Sequence, residues 1–146
     1  MKTTKKTNRL VDVAAVMVLL ACTSWIARAQ AKPEQLAQQS AESWLALVDS
    51  SKYGESWQEA SSMFKTQVTR EKWNGMVGPV RDPLGKVKSR KLKSASYTKT
   101  LPGAPDGEYV VIQYDTSFER KQSAVETITP MLDKDGKWRV SGYYIK

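Results

Sequence analysis

The sequence predicts an α+β fold, with three N-terminal helices packed on a curved four-stranded antiparallel meander. Two observations carry that expectation. Up to Gly85 the apolar residues recur every three or four positions, and from Lys86 onward they alternate every second position. Short turn signals, not helix-length connections, separate the alternating runs, so consecutive strands pair antiparallel.

Ahead of the fold, residues 1–29 read as a secretory signal. Lys2, Lys5, Lys6 and Arg9 make a positive start, an apolar stretch runs over 13–26, and Ala27-Arg28-Ala29 offers small residues for cleavage. The apolar stretch is 14 residues, against about 20 for a helix spanning the hydrocarbon core, so no transmembrane segment is expected in the mature chain. Cleavage near Ala29 leaves residues 30–146 as one α+β domain, periplasmic or secreted. A second route stays open, because Leu19-Leu20-Ala21-Cys22 matches the box that places a lipid-modified cysteine at a new N-terminus. That route would anchor the protein through Cys22 as a lipoprotein.

The first helix is expected from Pro33, a good first-turn residue, to about Asp49. Leu36, Ser40, Trp44, Leu47 and Val48 recur on one stripe, and Gln38, Gln39 and Glu42 lie opposite. Ser50 or Ser51 caps a second helix carrying Tyr53, Trp57, Ala60 and Phe64. Thr69 caps a third, with Trp73, Val77 and Val80, before Asp82-Pro83 and Gly85 stop it. Strands follow over 86–100, 109–118, 123–132 and 138–145, joined by turns at 101–107, 120–122 and 133–136. In the second strand Val110, Ile112, Tyr114, Thr116 and Phe118 share the face expected against the helices.

Composition bounds the chemistry. The chain has no histidine and one cysteine, Cys22, which the cleavage removes. Only carboxylates are left for acid–base work, and no metal or cofactor is expected. The whole-chain charge is +8; residues 1–29 hold five basic residues and one acidic, leaving +4. Lys86, Lys88, Arg90, Lys91, Lys93 and Lys99 form a run without an acid, which reads as an edge strand guarded by cations. Export argues against nucleic acid as a partner. Asp133, Asp135 and Gly136 echo the start of a calcium loop, but the chain passes straight into Trp138, so a hairpin turn is expected.

Three groups are candidate sites. If the loop is Arg120-Lys121, Asp115 falls opposite Glu126, and two facing carboxylates would raise one pKa if buried. Trp44, Tyr53, Trp57, Trp73, Tyr114 and Trp138 point to the interior, as core or as the lining of a pocket for a small apolar or amphipathic ligand. Tyr109, Val111, Tyr143 and Ile145 are expected on the opposite sheet face, where they would make a homodimer patch.

The run from Trp44 to Tyr53 joining two helices and the closing Asp135-Gly136-Lys137-Trp138-Arg139-Val140 resemble the cone-shaped fold of nuclear-transport-factor-like and ketosteroid-isomerase-like domains. Leu101-Pro102-Gly103-Ala104-Pro105-Asp106-Gly107-Glu108-Tyr109-Val110-Val111 and Val140-Ser141-Gly142-Tyr143-Tyr144 are similar to stretches of an exported bacterial family catalogued as domain of unknown function 4019. That resemblance covers nearly all of residues 34–146. It implies location and fold and brings no catalytic residues. The expectation is therefore a non-catalytic envelope domain that binds a small ligand or a partner. Two alternatives stand beside it: an isomerase or hydrolase using Asp115 or Glu126, and an accessory dimer.

Overall fold

The computed structural model describes residues 31–146, and the expected signal segment, Cys22 included, lies outside them. Helix α1 (Pro33–Asp49) buries Ala37, Ala41, Trp44, Leu45 and Val48. Its buried stripe is rotated from the expected one and leaves Leu36 exposed. The alanines put little bulk between helix and sheet, so the backbone comes close enough for Ser40 Oγ to donate to Trp138 O at 2.7 Å.

The expected second helix is two. Helix α2 (Tyr53–Glu59) stops at Ala60, and Ser61 caps α3 (Ser62–Gln67) by accepting from the Phe64 N–H at 3.1 Å. Ala60 and Phe64 keep helical spacing across that break, which is why the pattern reads as one helix. Helix α4 (Arg70–Arg81) is capped by Thr69 as expected, and a 3-10 turn at Asp82–Leu84 closes the helical layer.

Strands β1 (Val87–Thr98), β2 (Tyr109–Phe118), β3 (Lys121–Leu132) and β4 (Trp138–Ile145) pair antiparallel in the order β1-β2-β3-β4. The α+β class and the meander therefore hold. The inward face of β2 is the expected one: Val110, Ile112, Tyr114, Thr116 and Phe118 are all buried. Val110, Ile112 and Tyr114 meet Trp44, Leu45, Val48, Phe64 and Trp73 in one continuous core.

Register decides the rest. Phe118 pairs with Lys121 across a Glu119-Arg120 turn, and the ladder slips between Thr116 and Phe118. Between β3 and β4, Thr129 pairs with Gly142 but Pro130 pairs with Val140, leaving Ser141 as an extra residue. Proline cannot donate to the ladder, so a bulge at this point is physically natural. Ser141 Oγ fills it by donating to Thr129 O at 2.7 Å.

Candidate functional site

Six elements bring polar groups together, four of them charged. Asp49 ends α1, Arg81 ends α4, Arg90 comes from β1, Thr116 from β2, Glu126 from β3 and Tyr143 from β4. Arg90 grips both carboxylates: Nε and Nη2 donate to Glu126 at 2.6 and 3.2 Å, and Nη1 and Nη2 donate to Asp49 at 2.7 and 3.0 Å. Arg81 Nη2 donates to Asp49 at 3.0 Å, its Nη1 donates to Gly85 O at 2.6 Å, and its guanidinium lies 4.6 Å from the Phe118 ring centre. Two cations and two anions thus alternate along one chain of contacts, which keeps the buried charge balanced.

Glu126 is fully buried. One carboxylate oxygen accepts from Arg90 Nε and from Thr116 Oγ1 at 2.6 Å, and the other accepts from Arg90 Nη2 and from Tyr143 Oη at 2.7 Å. Each oxygen is used twice, so no lone pair is left for a substrate proton. Burial pushes Asp49 up, but Arg90 and then Arg81 outweigh it and hold the acid below its ordinary value. Burial, reinforced by the Glu126 charge, pushes the Tyr143 phenol well above its ordinary value. Asp49 and Tyr143 are thereby held in their ordinary charge states, the reverse of a poised acid–base pair.

The expected Asp115–Glu126 pair does not form. Asp115 opposes Val125, and Glu126 opposes Tyr114, because the turn is Glu119-Arg120 and the ladder then slips by one residue between Thr116 and Phe118. A one-residue slip puts the two acids on opposite faces. Asp115 faces solvent and pairs with Lys93 at 3.2 Å. The calcium-like turn is a hairpin: Asp133 accepts from Ser62 and Arg139, and Asp135 is held by Arg139, which lowers its pKa to about 2.

The six aromatic residues do not converge on one cavity. Trp44 and Trp73 donate to Ser56 O at 2.8 Å and Ser56 Oγ at 3.0 Å, and Trp57 donates to Val68 O at 2.6 Å. Trp44 packs against Trp73 and Tyr143 with ring centres 5.8 and 5.3 Å apart. Tyr114 is buried beside them. Tyr53 lies in a polar cleft with Asp49 and Arg81 and bonds Asp82. Trp138 lines a separate cleft with Ser40, Glu59 and Arg139.

Nor do Tyr109, Val111, Tyr143 and Ile145 form one outer patch. Tyr109 is buried, its hydroxyl donating to Pro105 O at 2.7 Å under the 101–107 turn. The bulge at Ser141 reverses the phase of β4, so Tyr143 turns inward and Tyr144 turns out. Ile145 follows Tyr143 onto the helix side, where it meets α4.

That reversal creates a feature the sequence pattern did not single out. Trp73, Met76, Val77 and Val80 of α4 and Tyr143, Tyr144 and Ile145 of β4 line an apolar groove of about 230 Å³. Met76, Val80 and Tyr144 are 52, 55 and 61% exposed. The available signal was in α4: Trp73 and Val77 already make the buried stripe, so Met76 and Val80 give the helix a second apolar stripe that the core does not use.

Among the described residues no helix is long and apolar enough to cross a membrane. A search of curated proteins finds no match. The family model described as a protein of unknown function, DUF4019, matches residues 40–143, from the middle of α1 to Tyr143 at the groove, and the chain belongs to that family.

Proposed function

We propose that this chain is an exported, non-catalytic domain that binds a protein partner through the groove between α4 and β4. The observation that carries this reading is the groove itself: three large apolar side chains stay more than half exposed around a hollow floored by Trp73. Exposed apolar surface of this kind marks interaction sites. Its size decides between occupants. Pockets for whole small ligands run to about 300–1,000 Å³, and a cavity of about 150 Å³ holds one benzene ring. A hollow of about 230 Å³ suits one or two side chains of a larger partner.

The buried acids support the non-catalytic part, since Glu126 and Asp49 are both spent on arginines. Export rests on residues 1–29, and a mass spectrum of protein from an exporting host is expected to show a chain beginning at Gln30. A diacylglyceryl mass on Cys22 would move the protein to a membrane anchor instead.

The groove is tested with 8-anilino-1-naphthalenesulfonate, an aromatic anion. One fluorescent site per chain is expected. Val80→Asp should weaken it about tenfold or more without lowering the urea midpoint, since an exposed position carries little stability. Equal binding to the variant, or none to the wild type, overturns the assignment.

A further inference from the structure

The two edges of the sheet are treated differently. Edge strand β1 carries Lys88, Lys91 and Lys93, the usual defence against unwanted strand pairing. On β4 the first half of the edge is served by the chain itself, because Ser40 Oγ donates to Trp138 O at 2.7 Å and the Ser61 N–H donates to Val140 O at 2.9 Å. Past the bulge that cover ends. Val125 and Lys146 exchange both backbone bonds, at 2.9 and 3.0 Å. Antiparallel alternation then turns the Tyr144 backbone toward β3 and the N–H and C=O of Tyr143 and Ile145 outward. No backbone bond from a described residue outside the sheet reaches those groups. Between Arg139 and Lys146 the strand has no charged residue.

Across the gap from this bare edge stands the apolar wall of α4. An open strand edge facing a helix over an apolar hollow is the arrangement into which extended peptides add. We propose that the groove takes an extended segment of a partner protein as a fifth strand, bonded to the backbone of Tyr143 and Ile145, with an apolar side chain seated against Trp73, Val77 and Val80. This rests on the partner-binding reading and names its mode.

Charge specifies the segment further. Lys72 lies on the same helical stripe as Met76 and Val80, four residues apart each time, and Lys146 follows Ile145. That stripe and the bare edge carry no acid. The matching segment alternates apolar and small polar residues and has carboxylates at its ends.

The probe is the capped peptide Asp-Val-Thr-Leu-Thr-Val-Asp, with an N-methylated version blocked at the alternate amides that would bond β4. Saturating peptide is expected to slow amide exchange at Tyr143 and Ile145 by about tenfold or more. N-methylation should weaken binding about tenfold, and Lys72→Glu should weaken it severalfold with a smaller salt dependence. Absence of peptide binding at millimolar concentration overturns the proposal. So does binding without protection of the two amides, or equal affinity for the N-methylated peptide, while the naphthalenesulfonate site persists and the groove keeps its assignment. If that site is also absent, both readings fall. Protection that grows with protein concentration without peptide gives the edge to a second copy and overturns the heterologous segment.

Discussion

Replacing Arg90 by methionine leaves Glu126 buried among Thr116 and Tyr143 with no cation, and leaves Asp49 with Arg81 alone. Removing one partner of a buried pair costs about 3–5 kcal/mol, and urea unfolding of Arg90→Met should show a loss of that order. The double variant Arg90→Met with Glu126→Leu should be more stable than the single one, because the stranded charge is gone. If the single variant is as stable as the wild type, the network carries no net pairing energy. Glu126 reads from the sequence as a candidate base because a lone acid in an alternating strand gives no sign of the arginine 36 positions away that pairs with it.

Among the elements, the short α3 depends on its cap. Ser61 is fully buried, and its side chain serves the Phe64 amide. Ser61→Ala should cost about 1 kcal/mol, seen as a lower thermal midpoint, and an unchanged midpoint would assign the turn's stability to Phe64 packing instead. The order of elements, the inward face of β2 and the Thr69 cap were all legible, because each follows from local period or local chemistry. The ladder was not. Whether Asp115 faces Glu126 depends on the turn and on one ladder slip between Thr116 and Phe118, and whether Tyr143 or Tyr144 enters the core depends on one inserted serine. Pro130 was the clue to that insertion, since a proline inside an inner strand demands an irregular ladder. The groove followed from the bulge and was hidden with it.

At the scale of the whole molecule, acid is the expected route to unfolding. Asp49 titrates lower in the fold than its ordinary 3.8, because Arg90 and Arg81 outweigh its burial. On acidification the unfolded chain therefore takes up that proton first, so the stabilisation is complete above the ordinary value and disappears as pH falls through the lowered one. Urea midpoints should be flat from neutral pH to about 5 and fall below about 4, with a shallower fall in Asp49→Asn. A steep loss between neutral pH and about 5 would point to a different group. The unequal sheet edges have a last consequence, in the arithmetic of assembly. With lysines fencing one side and a bare strip on the other, the described sheet offers one open edge. Through its sheet edges, a crowded population whose partner is missing is then expected to close into pairs and not to grow into filaments.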